Sequence, residues 1–235
     1  MMLADLRFSR NAPRPGEPFP QFDLATIEGG RVRSLDFSGP FVLILGSLTC
    51  PMTASAASKL NSLVPSFGGL IPFLTVYTRE AHPGESIPQP DTLAQKTVHA
   101  GRLAERDGYT WQVAVDDIDG TLHRALGSKP NAVFVVDGNG ILVFRALWSS
   151  DSKAIQQAIR AVLAGETPGR QSSTRNVAPM MRALPWIDRT VSGAGRSAMR
   201  DLWRAAAPMA LMGKMGRFWP SDRQETATEK YPQIG

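Results

Sequence analysis

Cys50, Glu80 and His82 are the residues of this chain whose types and positions could carry out nucleophilic and proton-transfer chemistry. Cys50 is the sole cysteine and stands in LILGSLTCPM (43–52), where an apolar run stops and a proline follows at once. A helix starting at Pro51 would lose nothing through the missing proline N–H, because first-turn donors are unpaired in any case. Cys50 then becomes the N-cap, with free backbone N–H groups and the positive end of the helix dipole at its sulfur. That placement lowers a thiol pKa from about 8.5 into the ~3.5–7.5 range, so a thiolate is expected at neutrality. Thr49 and Ser47 are placed to donate hydroxyl hydrogen bonds to it. The competing reading is a structural cysteine buried at a strand end.

Glu80 and His82 are spaced i, i+2. If extended backbone continues past Thr78, both side chains project to one face. A carboxylate there would raise the imidazole pKa and fix its tautomer, giving a proton donor that works near neutrality. The competing reading is a solvated loop, since His-Pro-Gly is good turn material. His99 and His123 fall inside helical patterns without partners and read as surface or packing residues. No set of His, Cys and carboxylates has metal-ligand spacing, so no metal and no bound cofactor are expected. Pro130 precedes a late apolar run, where either a cis X-Pro bond brings backbone close to the Cys50 loop or a plain turn forms.

The elements that must position these residues follow from the hydrophobic pattern. FDLATIEGGRVRSL reads as a hairpin around Glu-Gly-Gly. FVLIL (41–45) and PFLTVYT (72–78) are continuous apolar runs of strand length, as in strands buried on both faces. Between them, residues 53–67 turn helical, with Ala57, Leu60, Leu63 and Val64 on one side. Residues 91–107 read as a helix opened by Asp91 as N-cap. WQVAVDD (111–117) is a third strand, and IDGTLHRALG a short helical turn. AVFVVD (132–137) and ILVFRALW (141–148), joined by Gly138-Asn139-Gly140, make an antiparallel hairpin. DSKAIQQAIRAVLAG closes the unit as an amphipathic helix capped by Asp151 or Ser152. The order hairpin, βαβαβα, ββα predicts an α/β domain over 1–164: a mixed central sheet, parallel at its core, with helices on both faces. In such a sheet chemistry sits beyond the carboxyl ends of parallel strands, where Cys50, Glu80 and His82 all fall.

Residues 165–235 form a different region. The first 164 residues balance 15 Lys/Arg against 15 Asp/Glu, whereas the extension holds 11 against 6 and carries the whole net charge of +5. A basic tail on a neutral domain argues against nucleic acid as the partner of the domain itself. The extension has Trp186, Trp203, Trp219 and six of the nine methionines. Linker-like GETPGRQSSTRN leads into SAMRDLWRAAAPMALMGKMGRFW, which reads as two helical pieces broken at Pro208. Over 180–219 such a segment suits an anionic membrane surface, a partner groove, or packing back on its own domain or a dimer mate. SDRQETATEKYPQIG reads as disordered. A single cysteine excludes an intramolecular disulfide framework, and neither a signal-type h-region nor a bilayer-length apolar run is present, so a cytoplasmic location is expected.

The plan resembles the thioredoxin-like redoxins, the superfamily of peroxiredoxins, glutathione peroxidases and iodothyronine deiodinases. GSLTCP and VYTREAHPGE resemble the deiodinases most, with Cys50 where that family carries selenocysteine, Thr49 before it and Pro51 after it. The resemblance covers about residues 15–164 and implies that Cys50 is the reactive chalcogen and Glu80 and His82 an acid–imidazole pair. It also implies a further histidine near the start of the next helix, where Pro90 and Asp91 stand. Against peroxiredoxins, the P-x-x-x-T-x-x-C pattern would put Pro at Leu43 and Thr at Ser47, so only the hydroxyl survives, and Lys129 stands near the place of their arginine. The expected activity is thiol-dependent reduction of an electrophilic small molecule, either an aryl halide or a peroxide. With no second cysteine, an external thiol such as glutathione or a thioredoxin must regenerate the sulfur. The rival expectation is a non-enzymatic binding module that acts through its tail.

Overall fold

The computed structural model describes residues 7–216. An N-terminal hairpin pairs β1 (Asp23–Thr26) with β2 (Arg31–Arg33). There follow β3 (Phe41–Gly46), α1 (Pro51–Asn61), the short α2 (Val64–Phe67) and β4 (Phe73–Tyr77). Next come α3 (Leu93–Asp107), β5 (Gln112–Val115), the short α4 (Thr121–Ala125), β6 (Val133–Val136), β7 (Leu142–Ala146) and α5 (Ser152–Leu163). A two-residue strand β8 (Ser172–Ser173) precedes α6 (Val177–Ala194) and α7 (Arg196–Gly216).

The eight strands form one sheet in the order β2-β1-β5-β4-β3-β6-β7-β8. β3, β4 and β5 run parallel to one another, β8 runs parallel to β7, and the remaining neighbours are antiparallel. The sheet is thus mixed, and the strands that lead to Cys50 and Glu80, β3 and β4, lie in its central parallel part. Alternation along β3 feeds two cores. Leu43 and Leu45 join Phe19, Phe22, Phe134, Leu122 and Leu126 on one face. Val42 and Ile44 join Leu60, Ile155 and Ile159 of α1 and α5 on the other. Each fully buried Leu or Ile there contributes about 1.5–3 kcal/mol relative to exposure. The third helix of that second face, α3, packs Ala100 and Leu103 on Val113, Val115 and Tyr77.

Several boundaries differ from the sequence reading. The expected single helix over 53–67 starts at Pro51 and divides in two. α3 is capped by Thr92, whose Oγ1 accepts from the Gln95 N–H (3.2 Å), and not by Asp91. Asp151 is the N-cap residue of α5, but its carboxylate accepts from the Ser173 hydroxyl and not from the helix. The expected linker contributes β8 to the sheet edge, paired with Arg145 and Ala146. The second tail helix does break near Pro208: Ala206, two residues before it, leaves helical geometry (φ −155°, ψ 58°). Both tail helices pack back on the domain, and the segment expected to be disordered lies outside the described residues.

Candidate active site

β3 ends at Gly46, where a Cβ would lie 3.0 Å from Leu103 of α3, so the chain leaves the sheet pressed close to that helix. Cys50 is the N-cap of α1 and Pro51 occupies its first turn, as the sequence predicts. The sulfur, however, is not open to water. Cys50 is 3% exposed and sits in an apolar cage with Met52, Leu147, Trp148 and Ala183. Burial pushes the thiol pKa up, and it outweighs the opposing pull of hydrogen bonding at Thr53 and Met52 and of the Arg106 guanidinium. The expected neutral-pH thiolate is therefore corrected to a thiol: desolvation of the charged form exceeds what the helix start returns.

Thr49 and Ser47 do not serve the sulfur either. Both hydroxyls donate to Glu80 Oε2, at 2.7 and 3.0 Å, and the Thr49 N–H donates to the same oxygen at 2.8 Å. The other oxygen, Oε1, accepts from the Tyr77 hydroxyl at 2.5 Å and lies 3.0 Å from His99 Nδ1. Tyr77 and His99 are themselves 3.2 Å apart. Burial alone would raise the Glu80 pKa, but His99, Tyr77 and Thr49 outweigh it and hold the carboxyl below its usual value. Burial, together with the same carboxylate, pushes the Tyr77 phenol far up, so Tyr77 remains a donor.

The imidazole on Glu80 is thus that of His99, not His82. Glu80 points back under the Cys50 loop, while the half-buried His82 is fastened through its main chain, its N–H donating to Thr49 Oγ1 at 3.0 Å. His99, expected at the surface or in packing without a partner, is buried two turns into α3. A signal for it was present: Lys96, His99, Ala100, Leu103 and Asp107 are the buried residues of α3 and recur at helical spacing. His123 is also buried, and burial, with Arg79 nearby, lowers its pKa to about 4.

Two further residues tie this centre to its surroundings. Arg106 donates to the Leu48 carbonyl beside Cys50 and pairs with Asp107 at 2.7 Å. Asn131 donates to Thr53 Oγ1 at 3.1 Å and its Oδ1 accepts from the Ser149 N–H and hydroxyl. The segment after Pro130 therefore does reach the Cys50 helix, through Asn131; the bond at Pro130 is trans, since none of the described peptide bonds is cis. A cavity of about 310 Å³ opens beyond β4 and β5, walled in part by Thr78, Arg79, Lys96, His123 and Arg124, and Cys50 is not part of its wall. Among the described residues, no group of three His, Cys, Asp or Glu could hold a metal ion, and no helix is long and apolar enough to cross a membrane.

A sole cysteine at the start of the helix that follows the first parallel strand, on this sheet, defines a thioredoxin-like scaffold. Solved structures agree on the fold. A putative thiol:disulfide interchange protein DsbE from Chlorobium tepidum superposes with a TM-score of 0.53 at 20% identity, covering 65% of this chain and 99% of its own. An uncharacterized conserved protein from Geobacillus kaustophilus gives 0.55 at 15% identity, covering 68% and 87%. The particular family comes from sequence: residues 4–164 match iodothyronine deiodinase, and the chain belongs to that family. Thyroxine 5-deiodinase of Gallus gallus is 28% identical over 140 residues, 54% of each chain. Type II iodothyronine deiodinase of Sus scrofa is 35% identical over 74 residues, 29% of this chain and 28% of its own. The chain thus spans about half the length, or less, of these curated relatives, and α6 and α7 lie beyond the family match. Family and scaffold together support a redox function.

Proposed function

We propose that this chain is a thiol-dependent reductase of deiodinase type in which Cys50 is the nucleophile. The Cys50 thiol gives up its proton as its sulfur attacks the iodine of an activated aryl iodide; an S–I bond forms, the C–I bond breaks, and the aryl carbon takes one proton in return. Two equivalents of an external thiol, glutathione or a thioredoxin, then reduce the sulfenyl iodide. They return the Cys50 thiol and release iodide, a proton and the disulfide of the reductant. The observation that carries this reading is the Glu80 carboxylate. It binds the loop before Cys50, through Ser47 and Thr49, to a proton-bearing pair, Tyr77 and His99. His82, held to the same loop at Thr49, is the proposed donor to the departing fragment. A reducing compartment such as the cytoplasm suits a thiol regenerated in this way.

A second reading draws on the burial of the sulfur. A thiol permanently sealed in its cage is a core residue, and the chain is then a redoxin-fold binding module. Purified protein with dithiothreitol, assayed side by side for iodide release from aryl iodides and for peroxide consumption, separates the cases. The deiodinase reading expects iodide release that Cys50→Ser abolishes and His82→Ala lowers. Peroxide consumption alone would make it a one-cysteine peroxidase, and an unchanged rate in Cys50→Ser would remove the mechanism altogether.

A further inference from the structure

One wall of the cage around Cys50 comes from outside the residues that match the deiodinase family, while Met52, Leu147 and Trp148 lie within them. Of the buried residues that cage the sulfur, Ala183 belongs to α6, and α6 lies along α1. Hydrogen bonds fasten this cover at both ends. Near its start, the Trp148 indole N–H donates to Asn176 Oδ1 at 2.7 Å and Arg182 donates to the Ser150 carbonyl at 2.8 Å. At the α6–α7 junction, the Ser86 and Ile87 N–H groups donate to the Ala194 carbonyl at 2.9 and 3.3 Å. The Glu85 carboxylate accepts from the N–H groups of Arg196 (2.5 Å) and Ser197 (2.9 Å) and from the Ser197 hydroxyl. Those clasping residues follow His82 in the same loop, so cover and site loop are joined. The approach is close: a methyl group at Gly84 would come within 2.3 Å of the Ala194 carbonyl oxygen.

The face that α6 and α7 bury alternates alanines, Ala183, Ala194, Ala198, Ala206 and Ala210, with the larger Ile187, Val191 and Leu202. A methyl group buries far less apolar area than the Leu, Ile and Phe side chains of the sheet. α6 also carries Pro185, which has no N–H to give to the helix ladder, and α7 is broken at Ala206. A segment held by end contacts and a face in which alanines outnumber larger side chains opens locally at lower cost than the sheet core.

We propose that α6, with α7 packed on it, is a lid that closes one side of the Cys50 cage, clasped by Glu85, and that the thiol becomes reactive when the lid lifts. As a device that governs activity the lid rests on the reductase reading; as a cover it can be read without turnover. The test uses the full chain and the alkylation of its sole cysteine by iodoacetamide, with hydrogen exchange of the α6 amides followed in the same samples. Glu85→Gln weakens the clasp, and Gly84→Ala drives a methyl group into the Ala194 carbonyl. Reaction through an open fraction makes the rate proportional to that fraction, so alkylation should rise about tenfold in Glu85→Gln and further in Gly84→Ala. Exchange in α6 should rise in step while the sheet stays protected. Faster α6 exchange without faster alkylation overturns the proposal, as does a failure of both variants to loosen α6. So does alkylation of the unaltered folded chain as fast as that of the chain unfolded in guanidinium. If the variants alkylate faster but no protein releases iodide, the lid stands and the reductase reading fails. If iodide is released while alkylation ignores both substitutions, the reductase stands and the lid fails.

Discussion

Thr49 and Cys50 are neighbours in sequence and both are buried, yet they enter opposite surroundings. Thr49 gives its N–H and hydroxyl to a carboxylate that also binds Ser47, Tyr77 and His99. Cys50 enters an apolar cage of Met52, Leu147, Trp148 and Ala183. Burial works against the charged form in both places, but the Glu80 pKa falls and the Cys50 pKa rises. The difference lies in the donors: Glu80 has them on both oxygens, and the sulfur has too few to offset desolvation. Low accessibility by itself therefore does not say whether a buried group is charged.

The largest effect that could break this contrast belongs to Glu80→Ala. It leaves the Ser47, Thr49 and Tyr77 donors unsatisfied in the interior and removes the partner of His99, and should cost about 3–5 kcal/mol of stability, read by urea denaturation at neutral pH. A loss under about 1 kcal/mol would mean the network is not what holds the loop. Thr49→Val comes next. It removes one donor to Glu80 and one acceptor for His82 N–H, and about 1–3 kcal/mol is expected. Tyr77→Phe deletes a single hydroxyl and should cost about 1 kcal/mol, because His99 stays on the same carboxylate oxygen.

The two pKa shifts carry opposite pH signatures. Glu80 is depressed in the folded state, so its contribution is complete above the unfolded carboxyl pKa and is lost as pH falls through the folded one. Stability should fall on the acid side, and the Glu80→Gln variant should flatten that slope. Cys50 is raised, so its contribution is complete below the unfolded thiol pKa and is lost as pH climbs toward the folded value. Stability should therefore decline above about pH 8.5, the ordinary thiol pKa, and less so in Cys50→Ser.

Local pattern revealed the strands β1 to β7, both hairpins and the Cys50–Pro51 helix start, because each depends on alternation, turn residues or first-turn geometry within a few positions. Membership of Glu80 in the centre was also legible, from its place just past β4. The partner of Glu80 was not, because His99 reaches it only when α3 folds back across β4, and spacing of two residues made His82 look nearer. The raised thiol pKa was hidden for a similar reason. A helix start is local and visible, whereas the cage that overrides it is assembled from Trp148 and Ala183, about a hundred residues and more downstream. The tail had a readable stripe: Ala183, Ile187, Val191, Ala194, Ala198 and Leu202 recur every three or four positions and are all buried.

Because Cys50 is the sole cysteine, thiolate absorbance near 240 nm, corrected with Cys50→Ser for tyrosine ionisation, reports on it alone. In the folded, full-length chain the signal should be absent at neutral pH and appear only above about pH 8.5, where a free thiol titrates. A thiolate signal already present at neutral pH would contradict a sulfur held neutral by its cage.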